Sequence, residues 1–221
     1  MKKLLILLIS LSFVSLTSLT AQEFGIKGGV NLGKWTGDDI KEIADELDEK
    51  FDIGYSAGAF VSFPLGEMFS VRPEVLYTNN GAQFEGSEDG FAAKMAIKMN
   101  WINIPVLAVY NLTPNIKVFG GPYFDIFLSG AIDVEMSYLG VSIDEKEDIE
   151  KDEITSLAYG AVAGAAVGVG KGMELELRYS KGINTLDRKP DDWDDSFGDY
   201  DEADFKPSMI QILLNFNLSK N

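Results

Sequence analysis

Met173-Glu174-Leu175-Glu176-Leu177-Arg178-Tyr179-Ser180 alternates without a break between apolar and polar side chains. Met173, Leu175, Leu177 and Tyr179 fall on one face of an extended chain; Glu174, Glu176, Arg178 and Ser180 fall on the other. A strand has a two-residue side-chain period and sorts residues this way; a helix does not. The same period runs outward through the chain. Phe24, Ile26, Gly28, Val30 and Leu32 oppose Gly25, Lys27, Gly29, Asn31 and Gly33. Val71, Pro73, Val75 and Tyr77 oppose Arg72, Glu74, Leu76 and Thr78. Near the end, Ile210, Ile212, Leu214, Phe216 and Leu218 oppose Gln211, Leu213, Asn215 and Asn217.

Eight strands are expected, at 24–35, 51–63, 68–84, 93–110, 116–132, 154–170, 173–184 and 205–218. Most exceed the ~5–6 residues usual in soluble sheets. They suit the ~9–11 residues of a tilted strand crossing a bilayer. The connections alternate in length: Pro64–Glu67, Asn111–Asn115 and Lys171-Gly172 are short, whereas 36–50, 85–92, 133–153 and 185–204 are long. Both chain ends therefore lie on the short-turn side, as in outer-membrane barrels with short periplasmic turns and longer external loops. Charge sorts along the same axis. The four long connections carry 28 acids against 6 bases, which leaves 7 acids against 11 bases in the rest of the chain beyond residue 21. A protein bathed in one solvent has no reason to gather its excess charge at one end.

Composition removes several classes of chemistry. Among 221 residues there is no His and no Cys, so disulfides, thiol or imidazole metal sites, thiol nucleophiles and His-based triads are excluded. The formal charge of −16 disfavours nucleic acid, whose phosphates would repel the chain. Met1-Lys2-Lys3 and the apolar run from Leu4 to Leu16 lead to Ala21-Gln22, which reads as a secretory signal over residues 1–21. The expected mature unit is one barrel domain, 22–221. The apolar run is shorter than the ~20 residues of a spanning helix, which argues against an uncleaved anchor.

Three patterns imitate other chemistry. Gly160, Gly164 and Gly168 have the four-residue spacing of packed membrane helices, but Leu157–Gly170 is too short to span as a helix. Its second face, nearly all Gly and Ala, suits a narrow barrel interior where neighbouring strands supply bulky side chains. Gly168-Val169-Gly170-Lys171-Gly172 lacks both the leading Gly and the Ser or Thr of a phosphate loop. Glu174 and Glu176, ~7 Å apart on one strand face, have a spacing used in glycoside hydrolysis. A structural role is favoured, because charges pointing into a closed barrel must be paired. Lys27, Arg72, Glu74, Asp125, Glu174, Glu176 and Arg178 are expected to form that lumenal network. No catalytic residue, metal site or cofactor is expected. Phe63, Phe69, Tyr110 and Phe216 are the expected aromatic girdle at the turn end, and Trp35, Phe51 and Tyr55 at the loop end. In 36–50, Ile40, Ile43, Ala44 and Leu47 have helical spacing and suggest an amphipathic helix on the rim. The acids of 185–204 lack the order of a calcium loop and are read as solvated or partner-facing.

The chain resembles the Bacteroidota outer-membrane β-barrel family often labelled PorT-like. The resemblance rests on Gly25-Ile26-Lys27-Gly28-Gly29-Val30-Asn31, Arg72-Pro73-Glu74-Val75-Leu76-Tyr77, Asn103-Ile104-Pro105, Gly120-Gly121-Pro122-Tyr123 and Arg178-Tyr179-Ser180-Lys181-Gly182-Ile183-Asn184. It covers essentially all of 22–218 and implies an eight-stranded antiparallel up-and-down transmembrane β-barrel in a Gram-negative outer membrane. It does not imply one activity, although some members are similar to a component of a secretion and gliding apparatus. Many members end on an aromatic residue, whereas here five residues follow Phe216.

The expected function is that of a monomeric, non-enzymatic outer-membrane barrel in contact with lipid. Its acidic external loops would serve a protein partner or envelope integrity. The alternatives are a soluble lipocalin-like barrel holding an apolar ligand, which needs the apolar faces turned inward, a secretion-apparatus component, and a carboxylate-only hydrolase using Glu174 and Glu176.

Overall fold

The computed structural model describes residues 23–36, 48–88, 91–138, 141–149, 157–184 and 206–219. Alternation becomes strand throughout: β1 (Glu23–Thr36), β2 (Asp48–Pro64), β3 (Phe69–Glu88), β4 (Phe91–Thr113), β5 (Ile116–Tyr138), β6 (Val141–Ile149), β7 (Leu157–Gly170), β8 (Met173–Gly182) and β9 (Lys206–Asn217). Among the described residues there is no helix. The amphipathic helix expected in 36–50, the acidic segment 185–204 and the signal segment 1–21 lie wholly or mainly outside the described residues.

Eight strands close into a ring in the order β1-β2-β3-β4-β5-β7-β8-β9, every neighbouring pair antiparallel. The first and last strands complete it, from Gly25 opposite Asn217 to Thr36 opposite Lys206. Closure satisfies the backbone groups of every ring strand without an edge, as a strand in hydrocarbon requires. The turns joining β2 to β3, β4 to β5 and β7 to β8 are the expected short ones; Gly172 takes φ +69° in the last of them, a conformation that favours glycine.

Two expected connections differ. Strands β3 and β4 run through most of 85–92, with register from Phe69 opposite Tyr110 to Glu88 opposite Phe91. Most of 133–153 is a hairpin: β5 continues to Tyr138, and β6 returns beside it from Val141 opposite Tyr138 to Ile149 opposite Gly130. Strand β5 thus pairs with β7 along Ile116–Ile126 and with β6 along Gly130–Tyr138. The acidic composition imitated a loop, yet period two persists in Asp133-Val134-Glu135-Met136. Cross-strand pairs offset the like charge, Lys146 Nζ lying 3.6 Å from Asp133 Oδ1 and Lys94 Nζ 4.0 Å from Glu135 Oε2.

The small inner face of β7 has the expected cause. A Cβ on Gly160 would lie 2.6 Å from the Tyr123 ring, and one on Gly164 would lie 2.6 Å from the Phe119 ring. Gly164→Val is therefore expected to destabilise the barrel by about 1–3 kcal/mol, the range for overpacking. Urea unfolding from lipid vesicles would read this as a lowered midpoint; an unchanged midpoint would mean that Phe119 does not fill the space.

Candidate functional site

The most concentrated chemistry lies inside the ring at the level of the opening octapeptide. Lys27, Arg72, Glu74, Glu176 and Arg178 are each at most 3% exposed. Lys27 Nζ donates to Glu74 Oε1 at 2.6 Å and to Glu176 Oε2 at 3.2 Å. Arg178 Nη2 donates to Glu74 Oε2 at 2.9 Å and also pairs with Glu176. Asn215 Nδ2 donates to Glu176 Oε2 at 2.9 Å. Lys117 pairs with Glu174. Arg72 holds longer ionic contacts, 3.9 Å to Glu174 and 4.0 Å to Glu176, and its Nε and Nη1 have no hydrogen-bond acceptor among the described residues.

Ring position explains how so few residues block the lumen. Strands β3 and β8 stand opposite each other, so the Arg178–Glu74 pair crosses the barrel. Lys27 and Lys117 enter from β1 and β5, a second opposed pair. Phe60 lies beneath the charges of Lys27 and Arg72, at 5.4 and 4.9 Å, and Phe119 lies 5.4 Å from Arg178. Cations seated over ring faces gain further attraction.

Toward the loop end a neutral layer follows. Gln211 Nε2 donates to Asn31 Oδ1 at 3.0 Å and to Ser56 Oγ at 2.9 Å, and Ser56 reaches Thr78 at 3.0 Å. Two apolar clusters also line the inner wall. Leu107, Val109, Phe119, Tyr123, Val162 and Ala166 form one. The other contains Trp35, Phe84, Met99, Trp101 and Phe127, with Trp101 edge-on to Phe127 at 5.2 Å.

Six of the seven expected network residues meet: Lys27, Arg72, Glu74, Glu174, Glu176 and Arg178. Asp125 does not. It points inward but lies farther along β5 toward the loop end, where it accepts 2.6 Å from Asn103 Nδ2. Inward direction follows from alternation, whereas height along the barrel depends on register. Lys117 was missed, although it shares the parity of Phe119 and Tyr123 and was recoverable from it. Trp35 is a further correction. It is 6% exposed inside the second cluster, not in a lipid-facing girdle, because it shares the inward parity of Lys27, Asn31 and Gly33.

The outer face is the inverse of the inner one. Phe24, Ile26, Val30, Val75, Leu175, Leu177, Tyr179 and Ile212 are all exposed. This orientation removes the lipocalin-like reading, which requires an apolar lumen. Phe69 and Tyr110 pair at 4.8 Å at the turn end, while Phe51, Tyr55 and Phe216 are exposed as girdle residues should be. At the loop end, beside Tyr55, the belt on β3, β4 and β5 stops at a polar ladder. Tyr77 Oη and Asn79 Nδ2 donate to Asn100 Oδ1 at 2.8 Å each, and Asn100 Nδ2 donates to Ser129 Oγ at 3.0 Å. From Phe69 to this ladder the belt matches the ~9–11 residues of a membrane-spanning strand. Beyond it β3, β4, β5 and β6 rise as a wing, with a polar outer face and the second cluster at its base.

An apolar exterior, a paired ionic interior and a closed antiparallel ring define an integral membrane β-barrel. The chain belongs to the family described as outer membrane protein beta-barrel domain, which it matches over residues 20–188. The protein accordingly resides in the outer membrane, with lipid against its apolar belt. No curated protein matches the chain. Similar solved structures include Ail, the attachment invasion locus protein of Yersinia pestis, in complex with the heparin analogue sucrose octasulfate. It is 15% identical at a TM-score of 0.44, over 90% of this chain and 100% of that one. Neisserial surface protein A is 9% identical at 0.44, again over 90% and 100%. CarO of Acinetobacter baumannii is 12% identical at 0.39, over 87% and 96%. Likeness at this level transfers no activity.

Proposed function

We propose that the protein is a non-enzymatic, monomeric outer-membrane barrel of the PorT-like kind, made with a signal over residues 1–21. It acts through its acidic loop end, by contact with a partner or in support of the envelope. The observation that carries this reading is the sealed interior. Opposite walls are tied together by Lys27, Glu74, Glu176 and Arg178, so a general diffusion path would have to break paired, buried charge. The belt is given over to lipid, which leaves the two ends for contact, and the acids gather at one of them. Glu174 and Glu176 are already engaged by Lys117, Lys27, Arg178 and Asn215, which supports a structural rather than a hydrolytic role.

The absence of Cys makes a direct test simple. Ser142→Cys, in β6, is expected to react with a membrane-impermeant maleimide on intact cells. Thr113→Cys, at a short turn, is expected to react only after the outer membrane is opened. A photo-crosslinker at the same two positions should yield adducts in intact cells from residue 142 alone. Labelling of residue 113 in intact cells, or adducts from that end only, would overturn the reading.

A further inference from the structure

The eight ring strands have no free edge; among the described residues β6 does. Nine rungs join it to β5, from Gly130 opposite Ile149 to Tyr138 opposite Val141. Among the described residues no strand pairs with its other side. Ile149 anchors its end in the wing's apolar cluster, and residues 142–148 are all exposed. At ~3.4 Å per residue β6 offers an edge of about 30 Å. Every second residue directs its N–H and C=O away from β5, a template for a further strand.

The charges on this edge select what can use it. Asp144, Glu145 and Asp148 outnumber Lys146, which is itself held by Asp133. A second copy of β6 laid alongside in parallel register would set every acid against its like, and like charges directly opposite are destabilising. The chain's own segments 37–47, 150–156 and 185–205 are all net acidic and meet the same repulsion. A basic extended segment meets attraction at the same positions. The charge pattern that guards the edge against self-association therefore admits strands of opposite sign.

We propose that the free edge of β6 docks an extended, basic polypeptide segment, which pairs with it as an added strand. Main-chain hydrogen bonds supply the affinity and the acidic side chains supply the selectivity, as in other cases of strand addition. This inference rests on the reading of the loop end as the contact surface.

The test uses the whole protein in lipid nanodiscs and three nine-residue probes. These are an alternating Lys/Val peptide, its Glu/Val counterpart, and the Lys/Val peptide with every backbone nitrogen methylated. The Lys/Val peptide is expected to bind and to slow hydrogen exchange at alternate amides of 141–149. Methylation removes the pairing donors and should weaken binding at least about tenfold. The Glu/Val peptide should not bind wild type but should bind D144K/E145K/D148K, which in turn loses the Lys/Val peptide while keeping its sheet circular dichroism. Equal binding of the methylated probe would reduce the site to charge attraction and overturn the proposal. So would amides of both parities already protected in the free protein, because the chain would then cover its own edge. Protection that rises with protein concentration alone would assign the edge to a second copy and overturn it likewise. These outcomes leave the labelling pattern at residues 142 and 113 untouched, so failure of the docking site is distinguishable from failure of the topology.

Discussion

Glu176→Ala should destabilise the inserted barrel by about 3–5 kcal/mol, the cost of leaving buried partner charge uncompensated. Glu176 is the acid to which Lys27, Arg178 and Asn215 all donate, and it is fully buried. Without it, Lys27 and Arg178 share Glu74 alone, and Asn215 loses its acceptor. The layer already holds four bases, Lys27, Arg72, Lys117 and Arg178, against three acids, Glu74, Glu174 and Glu176. Arg178→Met should also be costly, but the double variant should cost less than the sum, since one change removes part of the charge stranded by the other. Arg72→Met should cost less than Arg178→Met, because its ionic contacts are 3.9 and 4.0 Å rather than hydrogen-bonded. Urea titration of the protein folded into vesicles, followed by tryptophan fluorescence, measures all four. A Glu176→Ala shift below about 1 kcal/mol, the scale of an exposed pair, would mean that water reaches the layer and the lumen is open.

Leu177→Arg should cost about 2–4 kcal/mol, the range for a charged side chain on the lipid face near the bilayer midplane. Leu177 is 56% exposed in the middle of β8, between the buried Glu176 and Arg178. Ile143, in β6, is more exposed at 66%, yet Ile143→Arg should fall within about 0.5 kcal/mol, as surface changes in water do. The two side chains are similar; only the solvent differs, because Ile143 stands beyond the Asn79–Asn100–Ser129 ladder. The same vesicle titration reads both variants. If Ile143→Arg proves as costly as Leu177→Arg, the ladder does not mark the edge of the membrane. If neither has an effect, lipid does not cover the belt.

Which way each side chain points was legible in advance over much of the chain. Alternation sent Lys27, Arg72, Glu74, Glu176 and Arg178 inward and Ile26, Val75, Leu177 and Ile212 outward, and their burial follows. The same rule, carried one step further, would have turned Trp35 inward and admitted Lys117. The β6 hairpin was obscured because acidic residues in water-exposed strands and in loops have the same composition. Cross-strand partners such as Lys146 and Asp133 separate the two cases.

Period two belongs to each stretch of backbone, so facing direction and the two-solvent character of the barrel follow from local order along the chain. Height and opposition do not. That Glu74 meets Arg178 across 104 positions, and that Asp125 falls outside the ionic layer beside Asn103, depends on strand register and on β1 closing against β9. These are non-local pairings, and they come into being only when the whole ring does.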